Sequence, residues 1–189
     1  MFEEIIKLLK KRKGYFYNFY RAAEKKKNIG KSRQYRIEKW IQAELVNYLW
    51  EHEQEAIPEY RFTEEGKFWD IYIEAEKGTE NLVLIKSYVE SAQYPSGEAK
   101  AIKDDLEEII RSTDKKCAFL LLLPWGKNEY KGRKEHAKKV LEKIKDQISG
   151  LRERIPDGNL GGKEKKIFLD ERNEIGVLVK YWEFEPRNV

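Results

Sequence analysis

The feature that most constrains the fold is a pair of apolar stretches joined by a short polar segment, between Phe68 and Tyr88. The first stretch alternates between two faces with a period of two residues, which is typical of a half-buried strand, and its apolar face contains Trp69, Ile71 and Ile73. Residues 82–85 are continuously apolar, as expected for a strand buried on both faces. A polar turn around Gly78 lies between them. The sequence therefore predicts an antiparallel hairpin.

A turn centred near Gly78 also predicts how the two strands pair. Counting outward from the turn places Asp70 opposite Lys86 and Tyr72 opposite Leu84. Because directly opposed side chains have Cβ atoms about 5 Å apart, we expect Asp70 and Lys86 to lie side by side on one face. At this point the sequence is equally compatible with a structural cross-strand ion pair and with part of a functional site.

Length and composition indicate one domain without a membrane span. A chain of 189 residues is long enough to bury a full hydrophobic core. No apolar run approaches the roughly 20 residues that a transmembrane helix needs. The single cysteine, Cys117, excludes an intramolecular disulfide, and we expect a cytoplasmic protein.

The remaining pattern predicts an α/β protein with a mixed central sheet. Helices are expected at about residues 2–12, 15–27, 32–52, 96–112 and 137–151, and strands at 58–63, 68–74, 82–86, 117–123, 167–169 and 175–184. The apolar strand at 117–123 ends at Pro124 and follows a helix, which indicates a parallel crossover. Residues 1–31 are expected to form a basic, aromatic, helical N-terminal extension, and residues 32–189 the α/β domain.

Positive charge is concentrated at the start of the chain. Between Lys7 and Arg36 there are twelve basic residues and one acid, and residues 15–20 add an aromatic cluster. Cations neutralise phosphates and aromatic rings stack on bases, so this composition favours nucleic acid as a partner. The expected contact residues are Lys10, Lys11, Arg12, Lys13, Tyr15, Tyr17, Arg21, Lys25, Lys26, Lys31 and Arg33. In the alternative interpretation, alternate rings pack on the core and the lysines form a solvated face.

An acid lies within the apolar face of the helix at 32–52. At 100° per residue, Glu44 falls between Ile37 and Trp40 on that face. An ionised carboxylate is costly there unless a partner pairs with it or a metal binds it. Glu44 is therefore a candidate site residue.

Together these residues resemble the PD-(D/E)XK nuclease-like, or restriction-endonuclease-like, superfamily. That family has an acid on its first core helix, an Asp at the start of one hairpin strand and Glu-x-Lys on the next. Glu44, Asp70 and Lys86 match these positions. The resemblance covers roughly residues 32–125 and implies a restriction-endonuclease-like mixed sheet flanked by helices. It also implies that Glu44, Asp70 and Lys86 are catalytic.

The sequence departs from the family pattern at one position. Leu84 occupies the place of the Glu in Glu-x-Lys, so an implied Mg²⁺ (or Mn²⁺) would lose one ligand. Asp70 and Glu44 remain as metal ligands, since Mg²⁺ often takes only one or two protein carboxylates. Glu98, on the helix after the hairpin, is the nearest candidate for a replacement, while Glu90 lies farther along the chain and Glu74 lies towards the turn, so counting leaves the choice open.

Two functions follow from the resemblance. The first is a Mg²⁺-dependent endonuclease with a degenerate active site that hydrolyses phosphodiester bonds in DNA or RNA. The second is a catalytically inactive nuclease-fold protein that binds nucleic acid or a protein partner in an accessory or immunity-type role. A plain protein-binding domain is a third possibility. The sequence leaves open whether the chain forms a homodimer.

Overall fold

The computed structural model describes residues 1–18, 34–60, 69–74, 81–87, 95–112, 114–126, 131–156, 159–172 and 175–186. Within these residues a six-stranded mixed sheet is flanked by helices, which confirms the predicted α/β class. The helices are α1 (Phe2–Lys11), α2 (Gln34–Glu51), α3 (Pro95–Arg111) and α4 (Lys131–Gly150). The strands are β1 (Ala56–Tyr60), β2 (Trp69–Ile73), β3 (Asn81–Ser87), β4 (Lys116–Gly126), β5 (Lys163–Phe168) and β6 (Ile175–Phe184).

The strand order is β1-β2-β3-β4-β6-β5. β1, β2 and β3 form an antiparallel meander, while β3 and β4 are parallel and are connected through α3. The parallel crossover predicted from sequence is therefore confirmed. β6 pairs antiparallel with both β4 and β5, so the last two strands along the chain are neighbours in the sheet.

The predicted register of the β2–β3 hairpin is wrong by two residues. Tyr72 pairs with Leu82, not with Leu84, and Ile71 pairs with Val83. A shift of two residues leaves every side chain on its original face, so the apolar pattern cannot distinguish the two registers. The turn decides between them, and residues 75–80 lie outside the described part of the chain. Asp70 and Lys86 consequently share a face without being directly opposite.

The end of β4 also differs from the prediction. The strand was expected to stop at Pro124, but it pairs with β6 through Pro124 and on to Gly126. A proline is tolerated there because a residue in an antiparallel pair bonds its neighbour only at alternate positions. β4 is thus eleven residues long and forms the centre of the sheet.

The sheet is buried on both faces. Side chains of β4 alternate, with Ala118 and Leu120 packed towards α1 and α2, and Phe119 and Leu121 packed towards α3 and α4. This two-sided burial explains the continuous apolar run in the sequence. No helix in the described ranges is long and apolar enough to cross a membrane.

The described part of the N-terminal segment belongs to the core. α1 buries one apolar face, and Ile5 and Leu9 pack in the same cluster as Val179 of β6. A second helical segment at 13–18 adds Phe16, which is also buried. The rest of the predicted extension, including its boundary at residue 31, lies outside the described residues.

The two edge strands of the sheet are irregular or charged. β1 contains Pro58 and Glu59, and the latter has a left-handed φ of 54°. β5 begins with the exposed residues 163–166, which are Lys-Glu-Lys-Lys.

Candidate active site

Polar side chains from four elements meet near the carboxyl end of β3. Lys86 and Ser87 end that strand, and Asp70 lies at the start of the neighbouring β2. α2 packs over one face of this region and α3 over the other. The antiparallel pairing of β2 with β3 therefore brings the two predicted hairpin residues to the same end of the sheet.

Asp70 is held by the backbone of β3. Its Oδ2 accepts a hydrogen bond of 2.7 Å from the N–H of Ile85, and its own carbonyl accepts one from the side-chain amide of Gln42. Burial raises the pKa of Asp70, while the Ile85 hydrogen bond and the charge of Lys86 oppose that rise. Lys39 of α2 also lowers this pKa, although its ammonium group is paired with Glu59.

Lys86 forms an ion pair with an acid on α3. Its Nζ lies 3.2 Å from Oδ2 of Asp105, whose side chain is almost fully buried. Burial alone would lower the pKa of Lys86, but the carboxylates of Asp105, Glu38 and Asp70 outweigh that effect and raise it. Lys86 is therefore an ammonium ion at neutral pH.

Glu38 approaches the same region from α2. Its Oε1 accepts a hydrogen bond of 2.8 Å from the N–H of Ser87, and the residue is only 6% exposed. Burial raises the pKa of Glu38 to about 7; Lys86 and the Ser87 hydrogen bond oppose this shift, whereas Asp70 and Asp105 add to it. A carboxyl group that titrates near neutral pH, in a cluster of charged residues, is typical of functional sites.

We refer to Glu38, Asp70, Lys86 and Asp105 as the Lys86 cluster. Its three carboxyl groups face one ammonium group, so the cluster carries excess negative charge when all are ionised. The hydroxyl of the adjacent Ser87 is buried and has no hydrogen-bond partner among the described residues. Such an arrangement suits the binding of a cation or of a hydrogen-bonding ligand.

Glu44 does not join this cluster, contrary to the prediction. Its Oε2 forms an ion pair of 3.0 Å with Nε of Arg12 instead. At 100° per residue, Glu44 and Glu38 lie about 120° apart around α2, so the two acids point to different sides of the helix. The costly acid on the apolar face of α2 is thus explained by a basic partner at the end of α1.

Glu98, the predicted replacement acid, lies in α3, but its side chain is outside the described residues. The acid that α3 supplies to Lys86 is Asp105. The sequence carried a signal for it, because Asp105 falls within the apolar stripe of Ile102, Leu106 and Ile109 at helical spacing. Glu38 was equally detectable as a second acid beside Ile37 and Ile41.

A separate basic and aromatic surface lies at the end of α1. Lys10, Lys11 and Lys13 are exposed, and the ring of Tyr15 is 58% exposed. We call these four residues the Tyr15 surface. The other predicted contact residues either have partners or fall outside the described ranges: Arg12 pairs with Glu44, Tyr17 packs against the core, and Arg21, Lys25, Lys26, Lys31 and Arg33 are not described.

The described side chains do not form a complete metal site. No three His, Cys, Asp or Glu residues in those ranges are grouped so that they could hold a metal ion. The donor chemistry of Glu38 and Asp70 nevertheless fits Mg²⁺ or Mn²⁺, which prefer carboxylate oxygens and can retain several waters.

Comparison of the chain with protein-family models, with curated proteins and with solved structures finds no match. Function must therefore be inferred from the residues of the Lys86 cluster, because a fold alone does not determine an activity.

Proposed function

We propose that the protein is a metal-dependent nuclease that hydrolyses phosphodiester bonds through the Lys86 cluster. The observation that carries this proposal is the meeting of one lysine ammonium with two buried carboxyl groups and one partly buried carboxyl group at the end of two adjacent strands. A lysine among carboxylates combines a group that attracts phosphate with groups that attract a divalent cation.

The arrangement of elements supports the same proposal. The chain has the order of elements expected of a restriction-endonuclease-like core. This order is the helix α2, the antiparallel strands β1 to β3, the crossover helix α3 and the parallel strand β4. In this interpretation Glu38 takes the position that the sequence assigned to Glu44. Asp105 adds a third acid, which contacts Lys86 from α3.

Lys86 acts as a fixed positive charge in the proposed mechanism. Because neighbouring carboxylates raise its pKa, Lys86 stays protonated and cannot serve as the base that deprotonates water. Its ammonium group would instead stabilise the charge that develops on the phosphate. Asp105 is a positioning residue, because it contacts Lys86 and holds that ammonium group in place.

Glu38 and Asp70 would hold the metal ion. A bound Mg²⁺ or Mn²⁺ supplies polarisation of a phosphate oxygen and a more acidic water. Positive charge at this position would balance the excess negative charge of the cluster and favour ionised Glu38.

A cleavage assay on DNA and RNA with Mg²⁺ or Mn²⁺ tests the proposal. Asp70→Asn and Lys86→Met should each reduce cleavage by at least about a hundredfold, since the first weakens a ligand of the metal ion and the second removes the ammonium group that stabilises charge on the phosphate. Asp70→Asn preserves an oxygen for the Ile85 hydrogen bond, so the hairpin should remain folded. Lys143→Ala, at an exposed position on α4, is the matched control and should cleave normally.

Equal cleavage by the parent protein and both variants would reveal a contaminating nuclease and would contradict the proposal. The same conclusion follows if EDTA leaves the cleavage rate unchanged, because the reaction would then need no metal.

A non-catalytic nuclease-fold protein that binds nucleic acid or a protein partner is the second candidate. The observation that favours it is the combination of Leu84 on β3 with the lack of any three-ligand metal group among the described residues. This candidate predicts salt-sensitive binding of nucleic acid without cleavage under any metal condition.

A further inference from the structure

We propose that the Tyr15 surface holds one single strand of nucleic acid, whose backbone then crosses α2 to reach the Lys86 cluster. This inference rests on the proposed nuclease function and specifies its substrate class as single-stranded DNA or RNA. It commits to a stacking contact with a base as well as to contacts with phosphates.

Tyr15 is a supported and accessible ring. The guanidinium of Arg12 lies 5.9 Å from the centre of the Tyr15 ring, and the Trp40 ring lies 6.4 Å from it. Trp40 is in turn fixed by an edge contact with the buried Phe16, at 5.1 Å. More than half of Tyr15 is nevertheless exposed to solvent.

Glu44 has a role in this arrangement. Its ion pair with Arg12 joins α2 to the end of α1 and orients the guanidinium beside the Tyr15 ring. Glu44 is therefore a positioning residue for the Tyr15 surface. Its carboxylate is neutralised by Arg12, so it opposes the nearby lysines less than an unpaired acid would.

The cations of the Tyr15 surface are available to phosphates. Lys10, Lys11 and Lys13 are exposed, and the two acids of α1, Glu3 and Glu4, lie in its first turn at the opposite end of the helix. Three exposed cations within five residues of an exposed aromatic ring supply both kinds of contact that single strands offer, to phosphates and to unpaired base faces.

The Tyr15 surface and the Lys86 cluster lie on opposite flanks of α2. On one flank, Glu38 and Gln42 bond to β3 and β2; on the other, Trp40 and Glu44 contact Phe16 and Arg12. The flanks are separated by about one helix diameter, roughly 10–12 Å. About three nucleotides span that distance at the 3.4 Å rise of a stacked strand.

The base contact explains why a single strand fits better than a duplex. The bases of a duplex are paired and stacked inside it, so a base cannot stack on the Tyr15 ring unless it is unpaired. We therefore expect the affinity for single strands to depend on the ring of Tyr15, and the affinity for duplexes to depend on charge alone.

Fluorescence anisotropy tests this inference. Labelled single-stranded DNA, single-stranded RNA and duplex DNA of about twelve nucleotides are titrated with full-length protein in EDTA, which prevents metal-dependent cleavage. Tyr15→Ala should weaken single-strand binding by about tenfold to a hundredfold, and Tyr15→Phe should retain it, because stacking needs the ring and not the hydroxyl. Glu44→Gln should weaken it less than Tyr15→Ala does.

Salt dependence tests the cations separately. The triple variant with Lys10→Ala, Lys11→Ala and Lys13→Ala should lower the slope of log K against log salt by about 2. The matched triple variant with Lys138→Ala, Lys139→Ala and Lys143→Ala on α4 removes the same charge from exposed positions and should leave that slope unchanged.

Unchanged single-strand binding by Tyr15→Ala, or an equal loss in both triple variants, would overturn the inference. If Asp70→Asn also abolishes cleavage in that case, the nuclease proposal still stands. Conversely, Tyr15-dependent binding by a protein that cleaves nothing would support the surface and refute the nuclease.

Discussion

The carboxyl group of Glu38 lies in an environment that favours its protonated form. Burial raises its pKa from an ordinary 4.5 to about 7. The folded state therefore binds more protons than the unfolded chain between these two pH values, and the free energy of unfolding must fall as the pH rises through that interval. Above pH 7 the ionised group destabilises the fold by about 3 kcal/mol.

Glu38→Gln should remove this destabilisation. In EDTA at pH 8 we expect the variant to be about 3 kcal/mol more stable than the parent, or roughly 6–12 °C higher in Tm, and at pH 5 the two should be nearly equal. The amide oxygen can still accept the hydrogen bond from Ser87, so the local geometry should persist. Thermal unfolding at both pH values measures the difference.

Glu142→Gln provides the control, because Glu142 is exposed on α4 and the same substitution there should leave Tm unchanged at either pH. A Glu38→Gln variant that is less stable than the parent at pH 8 would contradict the prediction, because it would show that the ionised Glu38 carboxylate stabilises the fold.

Half of the Lys86 cluster was accessible from sequence. Asp70 and Lys86 stand out because each interrupts or ends an apolar strand. Glu38 could not be preferred over Glu44, since each acid borders the apolar face of α2 on a different side. The choice depends on which flank α1 covers, and Arg12 reaches only Glu44. Asp105 was missed because its partner Lys86 is nearly twenty positions away in sequence.

Among the elements, α3, β4 and β6 are joined at one end by the buried side chain of Arg154. This residue lies in a short 3-10 helix, Arg152–Arg154. Its guanidinium donates to the carbonyls of Ile109 and Ser112 at the end of α3, to that of Lys115 before β4 and to that of Glu185 after β6. It thereby satisfies carbonyls that the helix end leaves open. It also fixes the end of the helix that carries Asp105.

Arg154→Met should be severely destabilising. The change leaves several carbonyls without their donor in a buried region, and we expect a loss on the order of 3–5 kcal/mol. Arg152→Met, in the same turn but exposed, should change stability by less than about 0.5 kcal/mol. Urea denaturation followed by circular dichroism measures both. Equal stabilities of the two variants would contradict the assigned role.

Most elements could be predicted because their patterns are local. The alternation in β2, the continuous burial of β3 and β4 and the helical stripe of α3 each follow from how many faces of the element are covered. Register and exact ends depend on contacts between distant residues. For that reason the predicted register of the β2–β3 hairpin is wrong by two residues, and β4 extends past its predicted end at Pro124.

At the scale of the whole molecule, α1 covers part of the sheet. Five apolar residues of this helix are buried, Phe2 stacks on Tyr181 of β6 at 5.7 Å, and Leu9 belongs to the same buried cluster as Ile167 of β5. Each such side chain contributes about 1.5–3 kcal/mol when fully buried. Their sum is comparable with the 5–15 kcal/mol by which a typical domain is stable.

A chain that begins at residue 32 should therefore lose cooperative unfolding or aggregate, because β5 and β6 would expose the face that α1 covers. The full-length triple variant with Lys10→Ala, Lys11→Ala and Lys13→Ala keeps those apolar contacts and should unfold at nearly the parent midpoint. Chemical denaturation compares the three proteins. If residues 32–189 unfold at the parent midpoint, the N-terminal segment is a removable extension after all.

The two edge strands of the sheet are poorly suited to pairing with strands of other molecules. A neighbouring copy that approaches β1 meets Pro58, which has no amide hydrogen, and the twisted backbone at Glu59. At the other border, β5 presents four exposed charged residues, three of them lysines, and charged side chains on an edge strand disfavour pairing with another chain. Neither border is a good template for pairing with a strand of another chain, which disfavours edge-to-edge aggregation.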